Sequence, residues 1–170
     1  MTTQVGRHKE VSSAIVPSTH AERLRRAKPK LLSPEYLVGL TDGEGSFCVY
    51  IREPTKASWN VRIECHFYIK MREDELPLLK HVKNSFGCGR IAFQKEYRER
   101  QRDNYRYQVS NRVELCEIII PFFERYTLQG INRKRDFRLF VQIVELVNTG
   151  AHHDADGLER IRSLKARMHE

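Results

Sequence analysis

Apolar and polar residues alternate along the middle of the chain, and the alternation is longest over residues 61–72. Successive side chains of a β-strand point to opposite faces, so this segment predicts a strand with one apolar face and one face of long polar side chains. Shorter alternations predict further strands at 46–52, 90–94 and 105–109, with Phe93 expected to point inward. We therefore expect one sheet with an apolar side and a polar side.

Apolar residues at helical spacing surround and follow these strands. Ser33 and the proline after it are typical of a helix start, and Gly43 and Gly45 are expected to end that first helix. Asn111 and Asp154 are expected to cap two later helices. The further helices are predicted at 74–86, about 111–123, about 132–148 and after 154. The order α-β-β-α-β-β-α, followed by further helices, indicates an α+β protein.

The first predicted helix combines two glycines with two acids. Gly39 and Gly43 lie one turn apart on one face, where the missing side chains allow another helix to approach closely. Asp42 and Glu44 lie at the C-terminal end, which is already partially negative, and a second copy of the helix would add further repulsion. A divalent cation would relieve both effects. The alternative interpretation is a polar turn between helix and strand, and the spacing alone does not decide.

Composition narrows the possible partners. The 170 residues carry a formal net charge of +8, which favours a polyanionic partner such as nucleic acid. The four cysteines show no C-x-x-C pairing and no zinc spacing, which indicates free thiols in a reducing compartment, the cytoplasm or an organelle matrix. No apolar run is long enough to span a membrane, so no membrane partner is expected.

Residues 1–32 differ from the rest, with seven Lys and Arg residues against two Glu residues and no sustained apolar period. We expect a flexible basic arm ahead of a single domain at 33–170. Three interpretations of the arm stay open: an extension that contacts phosphates, a solvated leader, or an organelle transit peptide.

Residues 37–47, Leu-Val-Gly-Leu-Thr-Asp-Gly-Glu-Gly-Ser-Phe, resemble the signature of the LAGLIDADG homing endonucleases in its Asp-Gly-Glu-Gly variant. Further matching motifs follow in order, and the resemblance covers roughly residues 33–169. They are Phe67-x-Ile69, Asp74-x-x-x-Leu78-Leu79, Phe86-Gly87-x-Gly89-x-Ile91, Pro121-Phe122-Phe123, Tyr126-x-Leu128, Asp136-Phe137 and His152-x-x-x-x-Gly157-Leu158-x-x-Ile161-x-x-Leu164-Lys165.

The resemblance implies an αββαββα fold with an antiparallel, saddle-shaped sheet and helices on one side. It implies an intron-encoded enzyme of a mobile element that cuts both strands of DNA at a long pseudo-palindromic site. One signature supplies one catalytic carboxylate, so a homodimer is expected to supply the second. The alternative is an RNA maturase, with RNA as its partner, or a non-cleaving DNA-binding protein on the same fold.

The resemblance also implies roles for residues around the signature. Glu44 corresponds to the metal-binding acid, with the Gly43 carbonyl as a further ligand of Mg²⁺; Mn²⁺ or Ca²⁺ is also able to occupy such a site. Asp42 is assigned to the structure of the helix end. Arg133 corresponds to the basic residue near the cleaved phosphate, with Lys134 beside it as the reserve candidate, and a solvated basic helix start is the alternative for both.

Two sets of residues complete the expected site. The dimer interface is expected to contain Leu37, Gly39, Leu40 and Gly43. The polar face of the sheet is expected to contact double-stranded DNA through Ser46, Cys48, Tyr50, Arg52, Arg62, Glu64, His66, Tyr68, Lys70, Arg72, Arg90, Gln94, Arg106 and Gln108.

Two positions depart from the family's pattern, Met71 and Arg133, which stands where the family usually has a lysine, and one cluster near the last helix has two interpretations. Met71 falls where the family often has a water-ordering glutamine, and Lys70 or Arg72 is a possible substitute. The acids and histidines at 152–156 suggest a metal cluster, but the capping role of Asp154 is the favoured interpretation.

Overall fold

The computed structural model describes residues 31–54, 60–97 and 102–169. Its strands are β1 (Gly45–Arg52), β2 (Arg62–Arg72), β3 (Arg90–Gln94) and β4 (Asn104–Val109), which form one antiparallel sheet in the order β1-β2-β4-β3. The helices are α1 (Pro34–Glu44), α2 (Leu76–Phe86), α3 (Arg112–Glu114), α4 (Ile120–Arg125), α5 (Ile131–Asn148) and α6 (Ala155–Ala166). The predicted α+β class and strand order along the chain are confirmed.

Helix α1 begins as the sequence predicts. The Ser33 hydroxyl accepts a hydrogen bond of 3.3 Å from the Tyr36 N–H, and proline occupies the first turn. Its end was placed too early, because Gly43 lies inside the helix and β1 starts directly at Gly45. A Cβ at Gly45 would lie 2.6 Å from Thr41 Cγ2, so the tight junction between helix and strand requires glycine there.

The core lies between the apolar face of the sheet and the helices. Phe47 on β1 pairs with Phe67 on β2, and both side chains are fully buried. The Phe47 ring lies 5.1 Å from Phe67 and 5.3 Å from Phe140 of α5, measured between ring centroids. The contact with Phe140 packs α5 against the sheet.

Phe93 differs from the prediction that it points inward, because 51% of its surface is exposed. It lies opposite Tyr105 on β4, and the two rings are 5.3 Å apart. Since β3 is an edge strand, Phe93 has a neighbouring strand on one side only.

The predicted helix at about 111–123 is present, capped by the Asn111 side chain, but it contains a π-helical turn at Leu115–Ile119. The Ile120 N–H donates to the Leu115 carbonyl in this turn. Pro121 explains the distortion, since proline has no N–H and its ring collides with the carbonyl one turn earlier in a regular α-helix.

Two hydrogen bonds hold the ends of the described fold, near residues 32 and 154. The Leu32 N–H donates to Ser85 Oγ at 2.8 Å, so the attachment to the fold begins just before the predicted boundary at 33. The rest of the predicted arm, residues 1–30, lies outside the described residues. At the other end, Asp154 caps α6 as predicted, accepting from the Gly157 N–H at 2.7 Å. No described helix is both long enough and apolar enough to cross a bilayer.

Candidate functional site

Helix α1 presents one face to the core and leaves another open. Leu37, Val38 and Thr41 are buried, whereas Gly39 and Gly43 are exposed on the other side. A Cβ added at either of these two glycines would meet no atom of the described residues within 4 Å. The glycine face predicted for close helix approach is therefore accessible in the single chain.

Leu37 does not belong to that open face, which corrects one predicted interface residue. Only 2% of its surface is exposed, and it packs in the chain's own core. Tyr36, with 47% of its surface exposed, lies on the open face with Gly39, Leu40 and Gly43. The spacing i, i+3, i+4 and i+7 was the available signal, because residues at this spacing share one side of a helix.

Asp42 connects α1 to the start of α5. Its Oδ2 accepts from the Gln129 N–H at 2.8 Å, and its Oδ1 accepts from the Gly130 N–H at 3.1 Å. Gly130 is the N-cap residue of α5 and has no capping side chain of its own. The Asp42 carboxylate thus supplies the cap from a different helix, in agreement with the structural role assigned to it.

Glu44 is the last residue of α1 and is exposed. Within the described part of the chain, its carboxylate takes part in no hydrogen bond or ion pair. The described residues also contain no group of three or more His, Cys, Asp or Glu placed to hold a metal. One chain therefore offers a single carboxylate here, with the carbonyl of exposed Gly43 as the neighbouring oxygen donor.

Arg133 and Lys134, the two basic candidates, face different surfaces. Arg133 borders a cavity together with Asp42, Gly130 and Asn132, so the structure brings it next to the acidic end of α1. Its Nε is buried, and no hydrogen-bond partner for it occurs among the residues that the structure describes. Lys134 borders a separate groove between α4 and α5, together with residues such as Phe123 and Gln142. Arg133, and not Lys134, therefore borders the cavity that contains Asp42.

The polar face of the sheet has the predicted composition but an uneven exposure. The Arg and Lys side chains near its rim are exposed, whereas Tyr68 and Gln108 retain only 7% and 9% of their surface. Neighbouring side chains cover them: the Arg106 guanidinium lies 4.3 Å from the Tyr68 ring centroid, and Gln108 contacts His66. The alternation of polar and apolar residues predicts which face of the sheet a strand residue occupies. It does not predict how far neighbouring side chains cover that residue.

His66 lies at the centre of this polar face. Its ring centroid is 5.4 Å from those of Tyr50 and Tyr68. Burial lowers the pKa of His66 below its ordinary value; Glu64 opposes this effect, and Arg52 adds to it. Burial therefore favours the neutral form of the imidazole.

Met71 faces away from the proposed DNA side. It is half-buried, packs against the core and lies opposite Tyr105 of β4. Of the two suggested substitutes for a water-ordering residue, Arg72 lies 3.4 Å from Asp74 in an ion pair, whereas Lys70 is exposed. Lys70 is therefore the better candidate for ordering water, because Arg72 is already held in the ion pair with Asp74.

Comparisons with known proteins agree with this geometry. A family model described as LAGLIDADG endonuclease matches residues 37–144. Over 140 residues the chain is 35% identical to a probable intron-encoded endonuclease 2 of Neurospora crassa, a match that covers 81% of this chain and 29% of the relative. The chain thus spans less than a third of that curated relative.

Two solved structures show similar folds. The I-SmaMI structure bound to an uncleaved DNA target in the presence of calcium ions has a TM-score of 0.71 and 32% identity, covering 81% of this chain and 45% of that one. The homing endonuclease I-TnaI has a TM-score of 0.70 and 26% identity, covering 83% of this chain and 90% of that one. The chain therefore corresponds to about half of the first structure and to most of the second.

Proposed function

This chain belongs to the LAGLIDADG endonuclease family, and we propose on that basis that two copies of it form a site-specific, metal-dependent DNA endonuclease. The observation that carries the proposal is α1 itself. Its open face, with Gly39 and Gly43, ends in the exposed carboxylate of Glu44, which has no partner among the described residues. Cleaving both strands of a duplex needs two reaction centres, and one chain offers one such carboxylate.

A second copy would complete the site by packing its own open face against the first. Gly39 and Gly43 leave room for close contact between the two helices, and a two-fold axis between them would bring the Glu44 residues together. The length comparison supports this arrangement, because one copy covers 45% of I-SmaMI. In the same arrangement Tyr36 and Leu40 supply the apolar contact, and Leu37 stays in the core.

The donors around Glu44 suit a hard divalent cation such as Mg²⁺. A carboxylate and a helix-terminal carbonyl are oxygen ligands, and the remaining positions would be filled by water, DNA phosphate and the second copy. A bound divalent ion polarises the phosphodiester and activates water. Calcium ions are present in the I-SmaMI complex, which supports divalent-ion use here.

Arg133 would act on the DNA rather than on the cation. Its guanidinium adds positive charge to the cavity that Asp42 also lines, and its terminal N–H groups are suited to donate to a phosphate oxygen. Arginine stays protonated at working pH, so its role is to bind and stabilise phosphate charge, not to transfer a proton.

The polar face of the sheet would bind the major groove, which accommodates a two-stranded ribbon. The net charge of +8 supports phosphate binding. We further propose that residues 33–170 form the catalytic domain, that the basic residues before it add nonspecific affinity, and that the gene lies in an intron, as the name of the Neurospora relative suggests.

Cleavage of a randomised duplex library, with and without Mg²⁺, tests the proposed function. We expect a single family of long, two-fold-related sites to be cut only with the cation. Glu44→Gln should bind the selected site with wild-type affinity but lower the cleavage rate by at least about a thousandfold, because it removes the charged ligand.

Glu145→Gln, an exposed carboxylate change on α5, is the matched control and should cut normally. Normal cutting by Glu44→Gln would contradict the assignment. Stimulation of intron splicing without DNA cleavage by the wild-type protein would favour a maturase instead.

A further inference from the structure

A chain of polar contacts crosses three strands on the polar face of the sheet. Gln108 Nε2 on β4 lies 2.9 Å from His66 Nδ1 on β2. The other ring nitrogen, His66 Nε2, lies 3.8 Å from Glu64 Oε2. Glu64 in turn accepts a hydrogen bond of 3.2 Å from Arg52 Nε on β1. Gln108 is therefore not an independent side chain but the last member of this chain of contacts.

The position of His66 is fixed by aromatic neighbours. The Tyr50 ring meets it edge-on and the Tyr68 ring is tilted against it, both with centroids 5.4 Å away. Tyr68 is itself covered by Arg106. Because these contacts restrict the imidazole plane, Nδ1 stays directed at Gln108.

The proton on His66 determines which amide atom faces it. A neutral imidazole has one N–H, and the Glu64 carboxylate beside Nε2 favours the proton on that nitrogen. His66 Nδ1 is then an acceptor, so Gln108 donates to it through Nε2. The Gln108 carbonyl oxygen Oε1 remains as the acceptor, and the second Nε2 hydrogen remains as a donor.

We infer that His66 fixes the orientation of the Gln108 amide, so that Gln108 recognises bases with an exocyclic amino group. This inference rests on the proposed DNA-binding function. Oε1 accepts from adenine N6 or cytosine N4 in the major groove, and the second amide hydrogen can also reach adenine N7. His66 is a positioning residue for specificity, and it need not touch the DNA.

A binding selection on variants of the cleaved site tests the inference. Gln108→Ala identifies the base position that Gln108 contacts, where the wild type should prefer amino-bearing over keto-bearing bases by roughly tenfold or more. Gln108→Glu has only acceptor oxygens and should keep that preference. If Gln108→Glu instead selects against adenine and cytosine there, Gln108 reads through its N–H groups and the inference is wrong.

His66→Ala frees the amide to turn, so the same preference should fall to within about threefold while overall affinity is largely kept. An unchanged preference in this variant would also overturn the inference. Lys80→Ala, an exposed change on α2, is the control and should leave the position unaffected. Thermal unfolding checks that each variant folds. If His66→Ala does not, His66→Phe replaces it, because phenylalanine keeps a ring between Tyr50 and Tyr68 but lacks Nδ1, and the same loss of preference is expected.

The same selection separates this inference from the proposed function. A wild-type protein that binds no specific duplex contradicts the function itself, whereas specific binding with the wrong response at this position contradicts only the role of His66. If the selected base is adenine, replacing it by 7-deazaadenine tests the contact between the second amide hydrogen and N7. The analogue keeps the N6 amino group but lacks N7.

Discussion

At the residue scale, Asp42 and Glu44 have different environments although they lie two positions apart. Asp42 points toward the start of α5 and accepts two backbone hydrogen bonds. Glu44 points to solvent and engages no described residue. The fold therefore separates an acid that stabilises the structure from one that is available for chemistry.

Asp42→Ala should lower the free energy of unfolding by about 1–2 kcal/mol, because it leaves the Gln129 and Gly130 N–H groups without their acceptor. Urea unfolding measures the change. Glu44→Gln is the matched control and should alter stability by less than about 0.5 kcal/mol, as expected for an exposed side chain without a partner. Equal destabilisation by the two substitutions would contradict the division of roles.

Local sequence could identify both acids but not the partner of Asp42. The Asp42 contacts join residues 87 and 88 positions apart, and no local pattern encodes such a distance. The low exposure of Tyr68 and Gln108 was likewise not predictable, because it depends on Arg106 and His66 from neighbouring strands.

At the element scale, strand alternation and helix caps predicted most boundaries to within two residues. The signal was strong because each strand has one buried face and because Ser33, Asn111 and Asp154 satisfy backbone N–H groups directly. The prediction of Leu37 at the interface does not follow the i, i+3, i+4, i+7 spacing of the glycine face, and Leu37 packs in the chain's own core. An apolar helical face looks the same in sequence whether it meets the core or another chain.

Gly39→Leu should stabilise the single chain and weaken the association of two copies. The new side chain enters open space in the single chain and improves helix propensity, so the unfolding free energy at low protein concentration should rise by about 0.5–1 kcal/mol. It would also block close approach of a second α1, and sedimentation velocity should show a shift from dimer toward monomer. Dimerisation at wild-type strength would place the interface elsewhere.

Gly45→Ala is the contrasting change in the same segment. Its Cβ would lie 2.6 Å from Thr41 Cγ2 and 2.7 Å from the Thr41 carbonyl oxygen. We expect a loss of about 1–3 kcal/mol of stability from this overlap. The opposite outcomes expected at 39 and 45 distinguish a glycine needed for association from one needed for the fold.

At the scale of the whole molecule, the proposed double-strand cleavage needs two copies of each part of the site. The described residues of one chain supply one polar sheet face, one exposed glycine stripe and one terminal carboxylate without a partner among them. Two-fold pairing would double all three at once and join the two sheets into one longer DNA-binding surface. The proposed symmetry of the target site follows from the symmetry of the protein.

The most direct test of this pairing is a mixed dimer of one wild-type copy and one Glu44→Gln copy, purified through two different affinity tags. Incubated with the selected DNA site and Mg²⁺, it should cut only one strand of each duplex and accumulate nicked product. Double-strand cleavage by the mixed dimer at the wild-type rate would contradict the claim that each copy contributes one catalytic glutamate.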